Sequence, residues 1–258
     1  MIRPRTEFVS TGRHPSYQRY WLHLYRREVN EAGRLVSDAF KVWMPQRIYM
    51  QLFEPALKLS GSLWARGRIS YHDEHFVTHH TLRFMRQVRR RFVPSETFGP
   101  LAVVVGVQSE RHLVGLQMVC DFLQWANWRV HRLSSCDPVT VSRVVERLRP
   151  DALLLSLGTT DRVEPAKRLI AEIRRHEFNG MIVVGGHAIN SNPSLVAEIG
   201  ADFTMPNGAA LVQRLRPRRA WHISGRLDRC EMPPSGPSDF RDPQFAEPER
   251  SPVDVTPA

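Results

Sequence analysis

Short apolar runs alternate with helix-forming stretches throughout residues 100–216. The five predicted strands are Leu101–Val107, Trp128–Ser134, Ala152–Ser156, Met181–Val184 and Ala201–Met205, of which the first, third and fourth are apolar almost throughout. Strands that are apolar along their whole length are buried on both faces, which is typical of a parallel sheet covered by helices. The pattern therefore predicts an α/β domain with a flavodoxin-like, five-stranded parallel sheet. Such a sheet holds ligands at the carboxyl ends of its strands.

Residues 15–92 have a different pattern, in which aromatic and aliphatic side chains recur at helical spacing. The first of these stripes consists of Tyr17, Tyr20, Trp21, Leu24 and Tyr25. Similar stripes follow, and Pro45 and Pro55 suit helix starts or kinks. We predict that three or four helices pack as a small bundle, a cap, that precedes the sheet domain.

Three further segments have little apolar content. We expect residues 1–14 to be a flexible N-terminus and residues 93–99 to be a linker. Residues 217–258 hold eight of the 19 prolines, and we predict a disordered tail. No apolar run is long enough to cross a bilayer and no signal-peptide pattern opens the chain. We therefore expect a cytoplasmic protein without a membrane partner.

The net charge of +10 lies in the first third of the chain. Residues 1–92 contain 17 lysines and arginines against 7 acidic residues, whereas residues 93–258 contain 19 against 19. Five arginines cluster near the end of the last helical stripe, namely Arg83, Arg86, Arg89, Arg90 and Arg91. Such a cluster complements a helix C-terminus, and it also suits an acidic partner or DNA phosphates. Because no helix-turn-helix is recognisable, we expect any contact with DNA to be indirect.

A histidine follows the first strand in the segment Glu110-x-His112-x-x-Gly115. Glu110 could accept a hydrogen bond from one imidazole nitrogen and leave the other free to bind a metal. Gly115 would let a bulky group approach the backbone. The third and fourth strands end in Ser156-Leu157 and Gly185-Gly186. The sequence thus places polar and small residues where this fold binds ligands.

These three motifs, in this order, resemble the cobalamin-binding domain of methionine synthase, corrinoid shuttle proteins and light-responsive regulators. The resemblance covers residues 100–216 and has one departure, because the third strand ends in Ser-Leu rather than Ser-x-Leu. It implies that His112 is the lower axial ligand of cobalt, with Glu110 hydrogen-bonded behind it. It also implies that Ser156 bonds the displaced base. The cofactor-binding set is completed by Gly115, Leu157, and the pair Gly185 and Gly186, which leaves room for the nucleotide tail.

A second motif lies in the cap, where nine residues separate Trp64 from the pair Glu74-His75. It resembles the Trp-x9-Glu-His motif in the cap of cobalamin photoreceptor regulators of the CarH type. The resemblance implies that Trp64 packs over the upper face of the corrin and that Glu74 and His75 line the upper-ligand pocket. His75 could itself be an upper ligand. The histidine that follows the tryptophan in CarH is replaced here by Ala65.

Further histidines surround this motif. His72, His75 and His79 are spaced three and four residues apart, and His80 is adjacent. A zinc or iron site is conceivable on this helical face. Polar or partly buried helix residues are the alternative, so the roles of His72, His79 and His80 stay open.

A cap joined to a cobalamin domain, without a catalytic barrel, resembles the AerR/PpaA anti-repressors of photosynthesis genes. The resemblance implies that the protein is not an enzyme but a light-responsive transcriptional regulator. It would bind hydroxo-, aquo- or adenosylcobalamin and act through a DNA-binding repressor of the CrtJ/PpsR type. Two alternatives stay open: a corrinoid methyl carrier that serves a separate methyltransferase, and a haem-binding sensor of the same fold. A flavodoxin-like interaction module without a cofactor is a third.

Overall fold

The computed structural model describes residues 15–92, 97–107 and 113–215. The predictions of a flexible N-terminus at 1–14 and of a disordered tail at 217–258 lie outside these residues, as does most of the linker. Glu110 and His112 also lie outside them. Within the described residues, the cap and the sheet domain belong to one structural unit.

The cap is helical, as the stripes of apolar residues predict. Its helices are α1 (Tyr17–Tyr25), α2 (Val29–Val42), α3 (Pro45–Ile48), α4 (Glu54–Ala65) and α5 (Tyr71–Phe92). They pack around a core of fully buried side chains that includes Tyr20, Leu24, Phe53 and Val77. The Tyr20 hydroxyl lies 2.9 Å from the Thr81 hydroxyl, so the polar end of this buried tyrosine is satisfied.

A π-helical turn, Tyr49–Phe53, joins α3 to α4 without a break. Pro45 is the first residue of α3, where a missing N–H costs least. Pro55 is the second residue of α4 and lies directly after the π turn. The sequence pair Ser60-Gly61 could be expected to interrupt a helix, but both residues lie inside α4 and do not interrupt it. A π turn inserts one extra residue into a helix and is frequent at functional sites.

The sheet has the predicted flavodoxin-like order β2-β1-β3-β4-β5, and all four strand pairs are parallel. Its strands are β1 (Leu101–Val107), β2 (Arg129–Cys136), β3 (Ala152–Ser156), β4 (Met181–Gly185) and β5 (Phe203–Thr204). The connecting helices are α6 (Leu113–Trp125), α7 (Pro138–Leu148), α8 (Val163–Arg175), α9 (His187–Ser191), α10 (Leu195–Glu198) and α11 (Gly208–Arg214). The predicted fold class is confirmed.

Alternate residues of each central strand enter different cores, which explains the continuous apolar runs. Val103, Leu153 and Ile182 pack under α7, α8, α9 and α10, whereas Val104 and Leu154 pack under α6 and α11. The cap lies against α6, because Phe122 of that helix belongs to the buried core of the cap. No helix within the described ranges is long and apolar enough to span a membrane.

Candidate functional site

A cleft of about 370 Å³ opens at the carboxyl ends of the central strands, between the sheet, α6, α11 and the cap. Its lining is mostly apolar and includes Met50, Leu57, Val104, Val114, Met118, Val119, Phe122, Leu154, Val183 and Leu211. The volume and the apolar walls are those of a site for a small organic ligand. The position is the one that the sheet order predicts.

Small residues form the floor of this cleft where the strands end. Gly106, Ser156 and Gly185 are in-register neighbours on β1, β3 and β4. A Cβ atom added to Gly185 would meet no atom within 4 Å, and the same holds for Gly115 on α6. Both glycines line the cleft, as does Ser156. The floor is therefore an open slot, which suits a flat ring better than a bulky side chain.

The two neighbouring predicted residues, Gly186 and Leu157, also have a structural role. Gly186 lines the cleft, but its φ is +99°, and an added Cβ would lie 2.3 Å from the carbonyl oxygen of Leu157. The Leu157 side chain is fully buried in the core on the other face of the sheet. Gly186 is thus required by the backbone, and Leu157 supports the cleft from below rather than lining it.

The roof of the cleft comes from the cap. Met50, Glu54, Leu57 and Lys58 line it, and all four lie on the helix that runs through the π turn into α4. Glu54 and Lys58 form an ion pair, with 2.6 Å between Oε1 and Nζ. Neither residue is indicated by the motifs in the sequence, although their spacing of four along a helix is a recognisable signal.

Trp64, Glu74 and His75 are not among the described residues that line the cleft, and Trp64 lies farther along the helix that forms the roof. It lies seven residues after Leu57, hence on the same face of α4, and its side chain is 49% exposed. The Tyr71 ring meets it edge-on at 6.4 Å between centroids. The same ring lies 4.0 Å from that of His75, and the Tyr71 hydroxyl is 2.9 Å from His75 Nε2. Trp64 and His75, predicted together, are thus joined by a tyrosine that the sequence analysis missed.

Glu74 completes this group on α5. Its carboxylate lies 3.1 Å from His75 Nδ1 and accepts a 2.7 Å hydrogen bond from the Thr78 hydroxyl. Each imidazole nitrogen of His75 therefore has a polar neighbour. With Nδ1–H donated to the carboxylate, Nε2 accepts from the Tyr71 hydroxyl, so a ligand could bind Nε2 only by displacing that hydroxyl. The roles predicted for Glu110 and His112 fall outside the described residues and stay predictions.

The other histidines of the cap are not assembled into a metal site. No group of three or more histidine, cysteine or acidic residues that could hold a metal ion occurs in the described part of the chain. His80 is buried, with its ring 4.3 Å from that of Phe76. Burial, followed by the nearby charges of His79, Arg83 and Arg27, lowers the pKa of His80 to about 4. His80 is accordingly a neutral core residue.

The arginine cluster divides into two groups. Arg83, Arg86, Arg90 and Arg91 are exposed on α5, and the Arg91 guanidinium also lies over the Phe40 ring at 5.6 Å. Arg89 turns inward, and its Nε is 3.5 Å from the carboxylate of Asp121 on α6. The exposed arginines can meet a partner, while Arg89 serves the contact between the cap and the sheet domain.

Two family models match the chain. Residues 100–215, the sheet domain, match the model of the B12 binding domain. Residues 17–89, the cap, match a second model that is also described as a B12 binding domain. The two matches coincide with the two halves of the cleft: the floor and walls lie in the first range and the roof in the second. A search of curated protein sequences gives no significant match.

Comparison with solved structures finds similar proteins at low sequence identity. The Methanosarcina barkeri monomethylamine corrinoid protein superposes with a TM-score of 0.67 and 16% identity, covering 77% of this chain and 95% of that chain. A cobalamin-binding protein from Desulfitobacterium hafniense gives a TM-score of 0.41 and 14% identity, covering 77% of this chain and 96% of that chain. The first similarity shows a common fold that extends over both the cap and the sheet domain.

Proposed function

We propose that this chain, a cobalamin-binding protein built from two B12-binding domains, is a light-responsive transcriptional regulator of the anti-repressor type. The observation that carries the proposal is the position of one cleft between the two domains. Its floor includes Ser156 and Gly185, and its roof is formed by Met50, Glu54, Leu57 and Lys58 of the cap. A cofactor held there touches both domains, so its state can be transmitted from one to the other.

The residues of the cleft fit cobalamin. The open positions at Gly115 and Gly185 leave space for a flat aromatic base, and the apolar walls suit its burial. The Ser156 hydroxyl can hydrogen-bond a ring nitrogen at the end of that space. Bound cobalamin supplies a bond between cobalt and an upper ligand, and light can break that bond when the ligand is an alkyl group. Around it, this chain binds the tail, covers the ring and orients His75.

The cap is the part of the chain that can report the state of the upper face. Trp64, Tyr71 and His75 form one group at the junction of α4 and α5. The proposal is that the cap closes over the corrin with this group and that a bulky upper ligand competes with it for space. A two-state cap shifts only by the difference in the affinity of the ligand for its two states. The exposed arginines Arg83 and Arg86 lie on α5, the helix that begins with Tyr71. They are suited to an acidic surface on a CrtJ/PpsR-type repressor.

The first experiment is an absorption spectrum of the purified protein after incubation with hydroxo- and adenosylcobalamin, in darkness and after illumination. We expect a retained corrin whose spectrum shows histidine ligation and, for the alkylated form, changes in light. His112→Ala should remove the histidine signature, whereas the control His187→Ala, which alters a histidine at the cleft outside the motif, should keep it. Failure to retain any corrin contradicts the proposal.

The second experiment tests the regulatory step. A variant with Arg83, Arg86 and Arg90 changed to Gln should lose light-dependent capture of the repressor while retaining cobalamin. The matched control changes Arg143 and Arg147, which are exposed on α7 of the sheet domain. Equal capture of the repressor in light and darkness by the wild type contradicts the regulator reading.

A corrinoid methyl carrier is the second candidate function. What supports it is the fold shared with the Methanosarcina barkeri monomethylamine corrinoid protein across 95% of that chain. A carrier should accept a methyl group after chemical reduction and release it to a methyltransferase, with both steps visible by absorbance. A regulator should respond to light without such turnover. Titration with haem in the same buffer tests the haem-binding alternative, since haem and corrin give distinct spectra.

A further inference from the structure

One pair of charged side chains stands out in the roof of the cleft. Glu54 and Lys58 lie one turn apart on α4, beside Met50 and Leu57, and face a cavity whose walls are mainly apolar. Lys58 is the only lysine or arginine among the described residues that line this cleft. The pair lies at the edge of the cleft, where the Lys58 side chain is 74% exposed and that of Glu54 is 19% exposed.

Glu54 is less exposed than the acidic residues that pair with a lysine or an arginine along α2. Its side chain is 19% exposed, whereas that of Asp38 in the comparable pair with Lys41 on α2 is 54% exposed. A pair in open solvent contributes little and needs no ligand to explain it. The Glu54 carboxylate is instead largely withdrawn from water at the edge of an apolar cavity, while Lys58 reaches from it toward solvent.

The chemistry of this pair matches the rim of a corrin. The edge of that ring carries acetamide and propionamide side chains, and each of them has both N–H donors and a carbonyl acceptor. A carboxylate accepts from amide N–H groups and an ammonium group donates to carbonyl oxygens, with bonds stronger than those between neutral groups. Side chains one helical turn apart present the two functions side by side.

We propose that Glu54 and Lys58 recognise amide side chains at the rim of the corrin ring. The pair then distinguishes corrinoids by the side chains of the ring, whereas Ser156 and Gly185 distinguish them by the nucleotide tail. The proposal rests on the proposed binding of cobalamin, and it assigns to the cap a direct part in cofactor affinity. It also explains why a charged pair occupies an otherwise apolar roof.

The test uses two corrinoids that share the ring and differ in the tail: cobalamin, and cobinamide, which lacks the nucleotide. Glu54→Leu and Lys58→Met should each weaken the binding of both corrinoids by about tenfold, measured by absorbance titration. Gly185→Val should weaken the binding of cobalamin far more than that of cobinamide. The matched controls Asp38→Asn and Lys41→Met, which alter the pair on α2, should leave both dissociation constants unchanged.

A third arm uses monocarboxylic acid derivatives of cobalamin, in which one rim amide has been hydrolysed. The wild type should bind at least one isomer about tenfold more weakly than cobalamin, because Glu54 repels the new carboxylate. Glu54→Gln should remove that difference. If correctly folded Glu54→Leu and Lys58→Met variants bind both corrinoids like the wild type, the assignment of the pair is wrong. If the wild type retains no corrinoid, the proposed function fails and this inference fails with it.

Discussion

The hydroxyl of Tyr49 donates a 2.6 Å hydrogen bond to Oδ2 of Asp121, and this bond joins the cap to α6 across a buried interface. Asp121 is fully buried, and Gln117 donates to its other oxygen at 2.7 Å. Burial raises the pKa of Asp121, while the hydrogen bond from Tyr49 and the charge of Arg89 act in the opposite direction. The cap is therefore held over the cleft by a polar contact that requires these particular partners.

We expect Tyr49→Phe to lower the free energy of unfolding by about 1–3 kcal/mol, because a buried carboxylate loses one donor. Asp121→Asn should cost less than Asp121→Leu, since the amide oxygen still accepts from Tyr49 and the buried charge is gone. Urea unfolding followed by circular dichroism measures all three. Tyr25→Phe is the control, as the Tyr25 ring stacks on Trp21 in the cap and has no such role.

The double variant with Tyr49→Phe and Asp121→Leu, each of which removes the hydrogen bond, should show a coupling energy of about 0.5–3 kcal/mol relative to the sum of the single changes. Strict additivity would mean that the bond contributes nothing to stability.

The two glycines at the end of β4 should behave differently when substituted. Gly185→Val adds a side chain to open space in the cleft, so the variant should fold with a loss under about 1 kcal/mol. Its affinity for cobalamin should fall at least about tenfold, because the slot for the tail is filled. Gly186→Ala meets the Leu157 backbone at a positive φ and should cost about 3 kcal/mol.

Thermal unfolding and cobalamin titration on both variants separate the two roles. A stable Gly186→Ala protein, or a Gly185→Val protein with wild-type affinity, would each overturn the corresponding assignment.

The sequence predicts the three central strands well because they are short apolar runs with no competing helical pattern. The fifth strand is predicted less well, since only Phe203 and Thr204 of the range Ala201–Met205 pair with β4. Asp202 explains the difference: its carboxylate accepts from the Ile182 backbone N–H at 2.6 Å and pairs with Arg174. A side chain used in this way anchors the start of the strand, and hydropathy does not reveal it.

The site is predicted only in part, for a related reason. Ser156 and Gly185 can be located from the sequence because a strand end fixes their position. Tyr49, Glu54 and Asp121 cannot, because they acquire their roles only when the cap packs on α6. No sequence pattern predicts the π turn at Tyr49–Phe53 either. This turn lies directly before Glu54.

Substitution of two tryptophans of the cap should distinguish a residue that binds the ligand from one that stabilises the fold. Trp64 is half exposed, so Trp64→Ala should cost under about 1 kcal/mol of stability but should weaken the retention of the corrin. Trp43 is buried in the cap core, and Trp43→Ala should cost about 3–5 kcal/mol. Unfolding curves together with gel filtration of the cobalamin complex measure both effects. Wild-type retention of the corrin by Trp64→Ala would remove this residue from the site.

The stability of the folded chain should depend on pH through the buried His80. The pKa of His80 is lowered to about 4 in the folded chain by burial and by the charges of His79, Arg83 and Arg27, against about 6.5 in an unfolded chain. Between these values only the unfolded chain takes up the proton, so stability is complete above about pH 6.5 and is lost as the pH falls toward 4. The loss should approach about 2–3 kcal/mol. His80→Gln should flatten this part of the stability profile, measured by urea unfolding at several pH values. An unchanged slope in that variant would show that other groups, His79 and His131 among them, carry the acid sensitivity of the fold.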